Sequence, residues 1–252
     1  MVSSKSFNSK AIIYDKYRPT YSSRYVQLLS QLGINNTSCV ADVGAGTGKH
    51  SKILSGLAGA VSCIEPNEEM LSVCRKNLAM CNNIKFILSS AEQMPVANNS
   101  FHYITVAQAF HMLDPDKCRR EFSRTLKPNG KIILTWQSKN HSTPLFQETE
   151  EVLHRFCPAY HRDIHAPQLT PYSYEYFFND GTYDFYYFRN DNYEIIDEDI
   201  FIGRTLSASY SLTQDSPQYQ EYINALKTVF NNHSNNGHIN TALSTIVYVG
   251  KF

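Results

Sequence analysis

No stretch of this 252-residue chain approaches the roughly 18 consecutive apolar residues of a membrane-crossing helix, and Met1 to Lys10 is polar where a secretory signal would be apolar. Nor is there a surplus of charge. Lys and Arg number 23, as do Asp and Glu, so no net field draws the chain to nucleic acid or to an anionic membrane. The six cysteines, at positions 39, 63, 74, 81, 118 and 157, form no C-x-x-C pair. That removes a zinc ribbon, a dithiol motif and a disulfide framework, and fits buried thiols in a reducing compartment. Pro158, His161, His165 and Pro167 read as a loop, and no metal is assigned to it. These absences predict a cytoplasmic protein with no nucleic-acid or membrane partner; a monomer and a homodimer both remain open.

What is present is a sizeable core. With 42% hydrophobic and 18% charged residues, the chain can form one large domain, or a core domain with a smaller cap. Its organising stretch is Cys39-Val40-Ala41-Asp42-Val43-Gly44-Ala45-Gly46-Thr47-Gly48-Lys49-His50. A short apolar run breaks on glycines at alternate positions, and a helical pattern follows through Ile53, Leu54 and Leu57. Strand, tight turn and helix in that order mark the crevice at the carboxyl end of a parallel sheet, where α/β folds bind ligands. A phosphate-cradling G-x-x-x-x-G-K-[ST] fails twice, at Val43 and at His50, and a dinucleotide G-x-G-x-x-G would need glycine where Lys49 stands. D-x-G-x-G-x-G remains. The strand Ala60–Glu65 ends in an acid about 20 residues further on, the place from which a carboxylate grips ribose hydroxyls in Rossmann-type sites.

Along the chain, apolar periodicity predicts helices at 22–32, 115–126 and 144–156, and strands at 84–88, 101–106 and 131–136. Pro128-Asn129-Gly130 reads as a helix stop. Beyond Trp136 the signal loosens. Tyr172 to Tyr193 fits either a hairpin around Asn179-Asp180-Gly181 or a short helix followed by a strand. Glu194-Ile195-Ile196 reads as a sixth strand, Arg204–Tyr210 and Pro217–Phe230 as helices, and Ala242–Phe252 as a closing strand. Most of the many Tyr and Phe residues of the later segment read as packing, with room for an apolar acceptor pocket.

The glycine motif, Ile64-Glu65-Pro66-Asn67-Glu68-Glu69-Met70 and Leu126-Lys127-Pro128-Asn129-Gly130-Lys131-Ile132 together resemble the class I S-adenosylmethionine-dependent methyltransferases. The resemblance is to their small-molecule type, the ubiquinone/menaquinone- and trans-aconitate-methyltransferase-like domains. It is strong from Tyr14 to Trp136 and thin afterwards. It implies an α/β, Rossmann-like, doubly wound seven-stranded sheet, mostly parallel with an antiparallel last strand, plus a small inserted cap. The organisation would be lid helices in 1–36, a cofactor-binding core in 37–136, a substrate cap with the last core elements in 137–240, and a closing strand in 241–252.

By the same resemblance the cofactor is S-adenosylmethionine, leaving as S-adenosylhomocysteine. It would be held by Arg18, Asp42, Gly44, Ala45, Gly46, Gly48, Glu65, Pro66, Met70, Ala91, Glu92 and Gln108. His111 is the candidate general base, with Tyr14 and Tyr17 of the lid as further catalytic candidates. Tyr14, His111, Trp136 and Arg204 are candidates for contact with a small-molecule methyl acceptor. An acid or Asn followed by two prolines and an aromatic, the mark of enzymes acting on exocyclic amines of bases, is absent between Ala107 and Asp114. The alternatives are a non-catalytic cofactor-binding protein on the same fold, an RNA methyltransferase, and a nicotinamide oxidoreductase, the last disfavoured by the glycine spacing.

Overall fold

The computed structural model describes residues 10–160, 177–178 and 182–252. Two short helices, α1 (Ala11–Tyr17) and α2 (Ser23–Gln31), precede β1 (Cys39–Val43). Then follow α3 (Lys49–Ser55), β2 (Ala60–Glu65), α4 (Glu68–Asn77), β3 (Ile84–Leu88), β4 (Phe101–Ala107), α5 (Pro115–Thr125) and β5 (Leu126–Lys139). The rest comprises α6 (Pro144–Phe156), β6 (Tyr183–Ile196), α7 (Glu198–Leu206), α8 (Tyr219–His233) and β7 (Ile239–Gly250).

The strands form one seven-stranded sheet in the order β3-β2-β1-β4-β5-β7-β6. β7 runs antiparallel to both its neighbours, β5 and β6, while the other pairings are parallel. This is a doubly wound α/β sheet with a reversed last strand. Its order turns at β1 and β4, the switch point outside which such folds bind ligands. The central strands are buried on both faces and read as near-continuous apolar runs. Ala41, Val43, Ile104 and Leu134 pack on one face with Phe122 of α5; Val40, Val61 and Ile133 pack on the other with Leu29 of α2 and Leu71 of α4. A third apolar cluster joins α6, α7 and α8 through Leu153, Phe156, Phe201, Tyr222 and Phe230.

Local chemistry sets the helix ends. Asn67 accepts from the Met70 amide, with Glu68 and Glu69 in the first turn of α4 and Arg75 and Lys76 in its last, matching the helix dipole at both ends. Asp114-Pro115 and Thr143-Pro144 repeat one device, a capping side chain followed by proline at the first helical position.

Three expectations need correction. Pro128-Asn129-Gly130 lies within the bounds of β5, where the pairing with β4 shifts register between Phe101 and Tyr103. The sixth strand is 14 residues long, not three. As the edge strand, it leaves Phe185, Tyr187, Tyr193 and Ile195 exposed. A register shift between Phe188 and Asn192 interrupts it, with Asn190 at φ 48°. There the Asp191 carboxylate turns inward to accept from the Thr245 amide at 2.9 Å. Finally, α7 ends at Leu206, and the residues to Tyr210 form turns instead of the expected helix over 204–210. The start signal is Asp197, whose side chain accepts from the Ile200 amide, followed by Glu198 and Asp199 in the first turn. The choice between hairpin and helix around Asn179-Asp180-Gly181, and the loop histidines His161 and His165, lie outside the described residues.

Candidate functional site

The three glycines after β1 all have positive φ, but each is required for a different reason. At Gly44, with φ +68°, a Cβ would stand 2.5 Å from that of Ala109; at Gly48, with φ +87°, it would stand 2.7 Å from the Cys74 sulfur. These two let the turn pack against its neighbours. Gly46, with φ +56°, has nothing within 4 Å of where a Cβ would be, so its face is open space. Its amide donates to Glu65 Oε2 at 2.9 Å, and Glu65 Oε1 accepts from the Asn67 amide at 2.9 Å. Glu65 thus ties the glycine turn to the end of β2, and each oxygen keeps a further lone pair. Burial pushes its carboxyl up, opposed by those two amides.

Behind the turn, Asp42 is 1% exposed and surrounded by donors. His50 Nδ1 lies 2.8 Å away, the Ser51 hydroxyl 2.5 Å and the Thr105 hydroxyl 3.0 Å. His50 Nε2 in turn meets the Tyr25 hydroxyl at 2.8 Å, and that hydroxyl lies 3.0 Å from Thr135 Oγ1. One buried chain of polar groups therefore joins β1, α3, α2, β4 and β5 below the crevice.

A cavity opens at the carboxyl ends of β1, β4 and β5. Of the residues singled out in the sequence, Tyr14, Arg18, Gly44, Ala45, Gly46, Gln108, Trp136 and Arg204 line it. Gln108 holds φ 61°, an uncommon conformation for a residue with a side chain and one that costs of order 1–3 kcal/mol. Its amide is anchored on the Thr135 carbonyl at 2.8 Å. Thr47 also lines the cavity, and its buried hydroxyl has no partner among the described residues. Such a group costs about 1–3 kcal/mol unless something bonds it.

Other candidates sit off the cavity wall. Asp42 belongs to the buried polar chain, and Gly48 faces Cys74. Glu92 accepts from the Asp114 amide at 3.1 Å, while Ala91 and Met70 are buried in apolar clusters or helix packing. His111 lies in the 3-10 turn Phe110–Met112 beyond β4, where burial and the nearby Arg18 charge push its imidazole down to about 4. Tyr17 points elsewhere: its hydroxyl donates to Asp199 at 2.8 Å, and its ring lies where any Cβ on Gly203 would be. It docks α1 onto α7.

Sequence reasoning missed much of the wall: Tyr21, Thr47, Lys49, His50, Gln137, Ser138, Lys139, His141, Phe146, Tyr160, Thr205 and Tyr210. Lys49 and His50 directly follow the glycine motif, and Lys139 follows Trp136 on the same strand, so both were within reach of a positional argument. Arg18 donates to the Ser207 hydroxyl at 2.8 Å and lies over the Tyr14 ring. Arg204 is engaged twice, by Glu194 at 2.8 Å and by the Tyr17 carbonyl at 3.2 Å. Among the described residues no group of three or more His, Cys, Asp or Glu is placed to hold a metal, and no helix is long and apolar enough to cross a membrane.

Sheet order, reversed last strand and glycine turn at the switch point define the Rossmann-like methyltransferase fold. A putative type II methyltransferase from Anaeromyxobacter dehalogenans has this fold, with a TM-score of 0.61 at 17% identity over 93% of this chain and 98% of that one. Residues 41–134 match the family described as "Methyltransferase domain". An uncharacterized methyltransferase-like protein of Schizosaccharomyces pombe is 29% identical over 154 residues, 60% of this chain and 59% of the relative. A ubiquinone/menaquinone biosynthesis C-methyltransferase of a Marinomonas species is 33% identical over 139 residues, 52% of this chain and 55% of the relative. The chain thus spans about three fifths of the length of the first of these curated relatives. Over this segment the chain is thus similar to the class I S-adenosylmethionine-dependent methyltransferases.

Proposed function

We propose that the chain binds S-adenosylmethionine in the crevice at the ends of β1 and β4 and transfers its methyl group to a small organic acceptor. One observation carries this reading: the open face of Gly46 looks into a cavity that also presents the Arg18 guanidinium and the Thr47 hydroxyl, which has no partner among the described residues. A main chain bared at that point suits an amino-acid and nucleoside ligand without a pyrophosphate. The guanidinium fork suits its carboxylate.

In this reading Arg18 takes the methionine carboxylate, the second lone pairs of Glu65 face the ribose hydroxyls, and Ala91 and Glu92 lie towards the adenine. The bound cofactor supplies an activated methyl: its C–S bond breaks as the acceptor's bond to carbon forms, and sulfur keeps the electron pair. The chain's share is alignment and exclusion of water, which supply on the order of 7–11 kcal/mol. A carboxylate or thiolate acceptor has no proton to lose. For a hydroxyl acceptor, His111, uncharged at neutral pH, is the candidate to receive the proton, though its depressed pKa makes it a weak base.

Titration calorimetry with S-adenosylmethionine and with NAD tests the reading. The former is expected to bind and the latter not; the reverse result overturns it. Gly46→Val introduces a β-branched residue at positive φ into the open face and is expected to weaken S-adenosylmethionine binding by about tenfold to a hundredfold, with the fold retained by circular dichroism.

A further inference from the structure

The charges around the cavity are one-sided. Arg18, Lys49, Lys139 and Arg204 line it, and none of the described residues lining it is Asp or Glu. A second cavity adjoins it, sharing Lys139, Phe146, Thr149, Arg204, Thr205 and Leu243, and it too has no acidic residue among those described. Two of the four cations are accounted for, and a third has an acid acting on it. Arg204 is paired with Glu194. Arg18 bonds Ser207 and is assigned to the cofactor's carboxylate. Lys49 lies beside the glycine turn and feels the Asp15 carboxylate.

Lys139 is different. It is the last residue of β5, at the boundary of the two cavities, with its ammonium 6.0 Å from the centre of the Phe146 ring. No carboxylate is paired with it among the described residues. Lys139 is a solvent-exposed residue, and the charges acting on its ammonium are those of Arg18 and Arg204. Partial desolvation by the surrounding protein and these two like charges push it down to about 8. A sulfonium bound nearby would add a further positive charge to the same space.

We propose that the methyl acceptor is an organic anion, a small carboxylic acid, whose carboxylate is held by the Lys139 ammonium where the two cavities meet. The inference rests on the cofactor reading above and narrows its acceptor class. A carboxylate there supplies the counter-charge that the described residues do not, through a charge-assisted hydrogen bond. A protonated amine would instead face the Lys139 ammonium and a sulfonium, and a neutral acceptor would leave Lys139 uncompensated. Phe146 and Trp136 line the same cavity and offer apolar surface to the body of the acid. Arg204, one of the acceptor-contact candidates read from the sequence, is already neutralised by Glu194.

The test uses the full chain saturated with S-adenosylhomocysteine, titrated with phenylacetate, 3-phenylpropanoate and glutarate, each beside its neutral amide. At least one acid is expected to bind, with its amide weaker by about tenfold or more. Lys139→Met should lose that margin while keeping S-adenosylhomocysteine affinity, and Lys139→Arg should retain most of it. Four results would each overturn the proposal: amides binding as well as acids, K139M binding acids like the parent, K139R as weak as K139M, or no acid binding at millimolar concentration. An Lys139 acting as proton acceptor would show in K139M as lost turnover with acid binding intact, which also counts against it. If the parent fails to bind S-adenosylhomocysteine, the cofactor reading falls instead, and acid titration of the unloaded chain still reports on Lys139.

Discussion

The two sides of the cavity treat their charged groups in opposite ways. On the glycine side, Asp42 and Glu65 are each met by donors of the chain: three side chains around Asp42, two amides on Glu65. On the far side, Lys139 stands near two other cations with no acid among the lining residues described. The first arrangement fixes a shape and the second leaves a charge to be answered. A saturated polar network rigidifies the backbone that a common cofactor must fit. An uncompensated cation marks where a particular acceptor differs from others.

The contrast can be broken most severely from the glycine side. Asp42→Ala removes the acceptor for three buried groups at once and is expected to cost about 3–5 kcal/mol, read from denaturant unfolding. A loss below about 1 kcal/mol would show that the network is not holding the turn. A smaller effect comes from the far side. Glu194→Ala frees Arg204, and because that pair is only partly buried the stability loss should be about 1–2 kcal/mol. The same variant should bind carboxylates at least as tightly as the parent, since the cavity gains an uncompensated cation. Weaker binding would mean that Arg204 must be held by Glu194 to shape the site.

The most modest effect is on pH dependence. The folded His111 titrates at about 4 against 6.5 when free, so the unfolded chain binds more protons between those values. Its contribution to stability is full above pH 6.5 and is lost as pH falls towards 4. His111→Asn should therefore flatten the stability curve over that window, as measured by unfolding at a series of pH values. An unchanged slope would assign the acid sensitivity to other groups.

Much of the glycine side was legible in the chain because its determinants are local. Gly44, Gly46 and Gly48 need positive φ within one turn, and Glu65 ends the next strand. α6 was legible from Pro144 to Phe156 because its apolar stripe and its Thr143-Pro144 start lie in one continuous segment. β6 was not, because its aromatic residues fall on both faces of an edge strand and the polar shift between Phe188 and Asn192 breaks the pattern midway. α7 was misplaced because its start rests on Asp197, a single polar residue at the end of that strand.

Sequence alone determined the glycine turn, the acid after β2 and the order of the βα units, since turn chemistry and hydrophobic period act over a few neighbouring residues. Tertiary structure alone decided that Asp42 meets His50, Tyr17 turns to Asp199, Arg204 is claimed by Glu194, and Lys139 stands near Arg18. Lys139 and Arg18 belong to segments on either side of the whole glycine-motif core, and which charges become neighbours is fixed by packing across the sheet. Coulomb energy depends on distance in space, and distance along the chain does not set it.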